Sequence, residues 1–168
     1  MDRKRGWQLA TALIGTLAPA AATYARAATD PCVPLRLYAG AWRVTQTTPA
    51  AKQPDRLVND CAPVGRYFAC QQTVNGKPGP LVVFIPAAAS GHYRTQIVLP
   101  DGAALGPPGT LTIAGERWTY LGKPDAKGVR YRTVNVFSGR DRIRYERARS
   151  TDGKTWTVTM AGHETRER

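Results

Sequence analysis

Beyond residue 28 the chain is a series of short segments rich in Val, Ile, Thr, Tyr, Phe and Trp, separated by turn residues. Such segments have the composition of β-strands, and Asn-Gly and Asp-Gly pairs mark tight reversals between strands. We find no pattern that favours a helix beyond residue 28. We predict ten strands, which cover residues 42–47, 56–62, 66–74, 81–86, 91–99, 109–114, 117–121, 129–138, 141–150 and 155–164.

Short strands joined by tight turns predict an antiparallel up-and-down sheet. Such a sheet closes most economically into a barrel, because closure removes exposed strand edges. The sequence therefore predicts an all-β fold, a barrel of about eight to ten strands with little helix. A length of 168 residues favours one domain, which we place at residues 28–168. A short turn around residues 35–38 is expected at one end of the barrel.

Residues 1–27 have the three zones of a secretory signal peptide: a basic start, an apolar stretch and small residues before a cleavage site. The apolar stretch, residues 7–22, is shorter than the roughly 20 residues that a transmembrane helix needs. We expect cleavage after Ala27, with Ala22 and Ala25 as alternative sites. The sequence thus predicts a protein exported to the periplasm or secreted, with no transmembrane segment.

The chain is strongly basic. Its 24 Lys and Arg against 12 Asp and Glu give a formal charge of +12, and loss of residues 1–27 leaves +9. At 42% hydrophobic residues the composition excludes a disordered basic tail. The charge suggests anionic partners, such as envelope lipid or polysaccharide. We do not expect nucleic-acid binding, because stacking aromatics are not interleaved with the basic residues.

Export places the three cysteines where disulfides persist. A strand reversal at residues 63–66 would bring Cys61 and Cys70 onto facing strands, so we predict that these two are bridged. Pairing of Cys32 with one of them is the alternative. Metal binding is not expected, since neither histidine has zinc-ligand spacing with the cysteines.

Residues 129–150 form a predicted hairpin in which the two faces differ. Tyr131 and Phe137 fall on one parity of its first strand, and we expect Ile143 and Tyr145 to share their interior. Arginines fall on the other parity of both strands. The alternation predicts a compact, outward-facing cluster of four guanidinium groups, which belong to Arg130, Arg132, Arg142 and Arg144.

Motifs of known enzyme chemistry are lacking in the sequence. It has no G-x-S-x-G, no H-E-x-x-H and no phosphate-binding glycine loop. Ser90 and His92 lie in a predicted turn, where polar residues ordinarily serve the loop itself. We therefore expect a non-catalytic protein without a cofactor.

At Gly40-Ala41-Trp42 the sequence resembles the G-x-W opening of lipocalin-like (calycin) β-barrels. From about residue 34 to residue 166 it looks like the bacterial exported proteins of that type. The resemblance implies that the glycine lets an end-closing turn approach the first strand while the tryptophan caps the barrel floor. It also implies that Arg166 of the last strand packs over the Trp42 ring as a cation–π pair.

Together these features predict a monomer that binds a small apolar or amphipathic ligand in the barrel interior. We expect aromatic residues with polar tips to form the interior wall, namely Trp118, Tyr120, Tyr131 and Tyr145. One alternative is docking of the arginine cluster on anionic lipid or polysaccharide. The other is haem binding through His163, which lies where small haem-binding barrels of the nitrobindin type carry their iron ligand.

Overall fold

The computed structural model describes residues 30–168, so the predicted signal peptide lies outside the described residues. One 3-10 helix, Pro34–Tyr38, precedes ten β-strands. The strands are β1 Gly40–Thr48, β2 Asp55–Val64, β3 Tyr67–Val74, β4 Lys77–Pro86, β5 His92–Val98, β6 Gly109–Ala114, β7 Arg117–Leu121, β8 Arg130–Ser138, β9 Arg142–Ser150 and β10 Thr157–Arg166.

All ten strands belong to one closed antiparallel barrel. Each strand pairs with its neighbours in the chain, and β1 pairs with both β2 and β10. Closure leaves no strand with a free edge. The predicted all-β up-and-down barrel is therefore confirmed. No helix in the described part of the chain is long and apolar enough to cross a membrane.

The predicted start of β4 is wrong. The sequence suggests a turn over residues 75–78, but the turn consists only of Asn75 and Gly76, which have φ values of 50° and 77°. Two-residue hairpin turns of this kind need positive φ at both positions. Lys77 therefore pairs directly with Val74, and β4 begins there.

The 3-10 helix covers one end of the barrel, which we call the closed end. The Leu35 side chain is 1% exposed, and Trp42 below it is fully buried. Trp42 Nε1 donates a hydrogen bond to the Tyr38 carbonyl oxygen at 3.0 Å, which joins the helix to β1. Other large side chains fill this half of the interior, namely Phe68, Phe84, Leu111, Trp118, Phe137 and Ile143.

Arg166 holds the closed end together. Its guanidinium carbon lies 4.1 Å from the centroid of the Trp42 ring. The same group donates hydrogen bonds to the carbonyl oxygens of Leu37 and Ala39, both at 2.6 Å. Its Nε donates to the Arg140 carbonyl oxygen in the β8–β9 turn at 2.8 Å. One side chain thus links the helix, the first strand and a distant turn.

The predicted disulfide between Cys61 and Cys70 is confirmed. The two residues face each other directly across β2 and β3, because Gly65 and Arg66 reverse the chain between those strands. Cys32 is a free thiol, buried beside the 3-10 helix. Burial, and then the charge of Asp30, raises the pKa of Cys32.

Replacing Gly40 with Ala should lower the free energy of unfolding by about 2–4 kcal/mol. Gly40 has a φ of +114°, and a Cβ there would lie 2.7 Å from Arg166 Nη1. The control is Gly65→Ala, where φ is +59° but no atom lies within 4 Å of the new Cβ. It should cost about 1 kcal/mol. Denaturant unfolding measures both, and equal losses would contradict the close approach at Gly40.

Candidate functional site

The two ends of the barrel interior differ. Near the closed end aromatic rings pack against one another, as Trp118 and Phe137 do with centroids 4.6 Å apart. At the other end, which we call the mouth, the wall carries Tyr131 of β8 and Arg147 of β9. Ligands enter barrels at such ends, so the mouth is the place to look for a site.

A cavity of about 430 Å³ lies at the mouth. We call it the mouth cavity, and its wall includes Ile97, Leu105, Tyr120, Tyr131, Thr133 and Arg147. The guanidinium carbon of Arg147 lies 4.9 Å from the centroid of the Tyr131 ring. This stack places a fixed cation at the edge of an otherwise largely aliphatic and aromatic wall.

The four predicted wall residues occupy three different environments. Tyr120 and Tyr131 line the mouth cavity, and Tyr131 is 37% exposed. Trp118 is 1% exposed and belongs to the packed core instead. Tyr145 is buried deeper in the barrel, with its phenol against Gly162 of β10. The structure therefore brings two of the four residues together around the cavity.

A buried carboxyl group, Glu164, lies in the interior and was missing from the predicted site. Glu164 is 5% exposed and pairs with Val44 of β1 and Ile143 of β9. Its Oε2 has no hydrogen-bond partner among residues 30–168. Removal from water raises the pKa of Glu164 to about 7. A buried carboxyl group whose pKa is raised makes Glu164 a candidate functional residue.

The charge of this carboxyl group acts on three phenols that belong to three elements. They belong to Tyr38 of the 3-10 helix, Tyr120 of β7 and Tyr145 of β9. Burial raises the pKa of each phenol, and the nearby negative charge of Glu164 raises it further. The interior therefore holds a carboxyl group and three phenols within range of its charge.

Strand alternation could have identified Glu164 from the sequence. If Arg166 turns inward to reach Trp42, then Glu164, two residues earlier on the same strand, must also face inward. His163 and Thr165 then face outward, and both are exposed in the structure.

The predicted compact cluster of four arginines is wrong. All four fall on the outward parity, but Arg132 pairs with Ala148 whereas Arg144 pairs with Val136. These pairs are four residues, or about 13 Å, apart along the strand. The reason is the antiparallel register, which sets the start of β9 beside the end of β8. Arg132 instead stacks on the Trp156 ring at 4.5 Å, and Arg130 and Arg142 pair with Ser150 and Ser138.

The two histidines lie on the outer surface. His163 is exposed and pairs with Thr45 and Arg144, on the opposite parity from Glu164. His92 is exposed, and its Nδ1 lies 3.4 Å from Thr112 Oγ1. Neither ring reaches the mouth cavity. Haem binding through His163 stays a prediction with no interior contact to support it.

No protein-family model matches the chain, and a search of curated proteins finds no significant match. The crystal structure of Rv2717c from M. tuberculosis is similar, with a TM-score of 0.50 and 19% sequence identity. The similarity covers 82% of this chain and 98% of that chain. At this identity it shows the fold alone. Lipocalin barrels have eight strands, whereas this barrel has ten, so membership of that family stays a prediction.

Replacing Glu164 with Gln should raise the free energy of unfolding at pH 8 by up to about 3 kcal/mol. Burial raises the pKa of this group from its usual 4.5 to about 7 in the folded protein. As the pH rises from 4.5 to 7 the unfolded chain loses this proton while the folded chain keeps it. The wild type should therefore lose stability over that range relative to the variant, as urea unfolding at pH 4, 6 and 8 can measure.

The control for this experiment is Glu146→Gln, on the exposed outer face of β9. Its free energy of unfolding should stay within about 0.5 kcal/mol of the wild type at each pH. If the free energies of unfolding of Glu164→Gln and the wild type differ by the same amount at all three pH values, the buried carboxyl group does not titrate as expected.

Proposed function

We propose that this protein binds a small apolar or amphipathic molecule in the mouth cavity and does not catalyse a reaction. The observation that carries the proposal is this cavity with its largely apolar wall, since the other depressions of similar size among the described residues have more polar walls. Its volume of about 430 Å³ lies within the range of about 300–1,000 Å³ that small-molecule sites occupy. The closed end, by contrast, is filled by its own side chains.

The chemistry of the wall supports an amphipathic ligand. Ile97 and Leu105 offer aliphatic surface, and Tyr120 and Tyr131 offer rings with polar tips. Arg147, held on the Tyr131 ring, supplies a directed hydrogen-bond donor at the rim. A wall of apolar surface with a few fixed polar groups is typical of binding sites that orient a ligand.

We also infer that the protein acts outside the cytoplasm. The disulfide between Cys61 and Cys70 supports this inference, because such bonds persist in oxidising compartments. The predicted signal sequence at residues 1–27 points the same way.

Binding can be tested with phenylnaphthylamine, a neutral apolar dye whose fluorescence rises in an apolar environment. The dye should bind the wild type saturably, and Tyr131→Ala should weaken binding about tenfold, since an aromatic contact contributes about 1 kcal/mol or more. The matched control is Tyr67→Ala, which removes a tyrosine that is 40% exposed on β3, against 37% for Tyr131. Its affinity should equal that of the wild type.

A second pair of variants tests the same cavity by adding a negative charge to its wall or, as the control, to a residue far from it. Leu105→Asp places a carboxylate in the wall at a residue that is 54% exposed, and should reduce dye affinity at least tenfold. Val64→Asp adds a carboxylate at the closed end, at a residue that is 56% exposed, and should leave the dye affinity unchanged. Equal effects within either pair, or no saturable binding by the wild type, would contradict the proposed site.

A further inference from the structure

Two cationic side chains belong to the wall of the mouth cavity. They are Arg147 of β9 and Lys123 of the loop between β7 and β8. Among the ion pairs found in residues 30–168, none includes either of them. Both residues are exposed, so their charged groups are open to solvent and to a ligand in the cavity. The mouth cavity therefore carries positive charge that no carboxylate of the described chain neutralises by direct contact.

The carboxylate in the same wall, Asp125, serves its own loop. Its Oδ1 accepts hydrogen bonds from the backbone N–H groups of Lys127 and Val129, both at 2.9 Å. An aspartate that closes a loop in this way stabilises the turn around it. The wall thus has two cations against one carboxylate, and that carboxylate already accepts two hydrogen bonds. The net charge of the wall favours an anion over a cation as its ligand.

Arg149 adds a third cation on this side of the mouth. It lies two residues beyond Arg147 on β9 and pairs directly with Tyr131 of β8. Residues two apart on a strand lie on the same face of the sheet, so Arg149 shares the face of Arg147. Arg149 is exposed, and it too belongs to none of the ion pairs found in residues 30–168. The positive charge is therefore concentrated where β9 reaches the mouth.

The aliphatic part of the cavity wall lies away from these cations. Ile97 belongs to β5 and Leu105 to the loop that follows it, whereas Arg147 belongs to β9. Three strands, β6, β7 and β8, separate the two sides in the order of the barrel. A ligand that spans the cavity therefore meets aliphatic surface on one side and positive charge on the other. This arrangement matches a molecule with an apolar body and an anionic end.

The buried carboxyl group of Glu164 does not contact this part of the wall. Glu164 pairs with Ile143 of β9, which lies four residues from Arg147 and thus about 13 Å along the strand. Ile143 belongs to the half of the interior that side chains fill. An anion at Arg147 is therefore well separated from the interior carboxyl group.

We propose that the mouth cavity selects amphipathic molecules with an oxyanion headgroup, and that Arg147 and Lys123 bind this headgroup. The inference rests on the proposed function, because the apolar body of the ligand occupies the same cavity. A guanidinium group donates paired N–H bonds to a carboxylate, sulfonate or phosphate, and the Tyr131 ring holds Arg147 in place for them. The ammonium group of Lys123 supplies a second charged donor.

Two dyes with the same aromatic body test the headgroup site. Anilinonaphthalenesulfonate is phenylnaphthylamine with one added sulfonate, so the ratio of the two dissociation constants isolates the contribution of the anion. The wild type should bind the sulfonate about tenfold more tightly than the neutral dye, because hydrogen bonds to charged groups are the strong ones. The double variant Arg147→Gln, Lys123→Gln should lose this preference, and Arg147→Lys, which keeps the charge, should retain part of it.

The matched control is the double variant Arg142→Gln, Arg144→Gln. It removes the same total charge from two exposed arginines on the outward parity of β9. Its preference for the sulfonate should equal that of the wild type. All four substituted residues are exposed, so both double variants should fold, as their denaturant unfolding curves can verify.

Displacement of the bound sulfonate dye distinguishes the possible headgroups. Decanoate and decyl phosphate carry a carboxylate and a phosphate on the same alkyl chain, and decanol carries a neutral hydroxyl group. At least one of the two anions should displace the dye at a concentration about tenfold lower than decanol requires. The more effective anion identifies the headgroup that the site prefers.

Equal affinity of the wild type for the two dyes would overturn the headgroup site, as would decanol displacing the dye as well as both anions do. An equal loss of preference in the two double variants would also overturn it, because total charge would then explain the preference. The neutral dye distinguishes these failures from failure of the proposed function. Tyr131-dependent binding of the neutral dye without a preference for the sulfonate would overturn the headgroup site alone. Absence of saturable binding of either dye would overturn both proposals.

Discussion

The stack of Arg166 on Trp42 organises the closed end of the barrel. Arg166 comes from the last strand and Trp42 from the first, so the pair stands where the barrel closes. The guanidinium group also donates hydrogen bonds to carbonyl oxygens of the 3-10 helix, of the residue that follows it and of the β8–β9 turn. Gly40 must lack a side chain for the guanidinium group to reach them. One cation thus links the last strand to the 3-10 helix, the first strand and the β8–β9 turn at the closed end.

Packed side chains fill one end of the barrel, and a cavity lies at the other end. The large rings lie with the 3-10 helix, whereas the mouth keeps a cavity bordered by Tyr131 and Arg147. The inward parity of β10 that brings Arg166 to the closed end also brings Glu164 into the interior. The position of this carboxyl group is therefore a consequence of the same strand register that closes the barrel.

Local patterns in the sequence predicted the features that depend on local chemistry. Strand composition and turn residues located the ten strands, and a short reversal located the Cys61–Cys70 bridge. The start of β4 was missed because a two-residue turn and a four-residue turn share the letters Asn-Gly.

Features that depend on register across strands were harder to predict. The alternation of side chains along β8 and β9 assigned four arginines to one face, but it could not show that the register between the two strands separates them. Parity also could not distinguish the packed depth of Trp118 from the mouth position of Tyr131, because both face inward. The depth of a residue in a barrel follows from the stagger of all strands, which no single segment encodes.

NMR can show whether a ligand binds inside the mouth, through nuclear Overhauser effects between bound phenylnaphthylamine and the aromatic side chains of the protein. We expect contacts from the dye to the ring protons of Tyr120 and Tyr131, and none to the indole of Trp42. Contacts confined to the outer face, for example to Trp156 beside Arg132, would contradict this expectation.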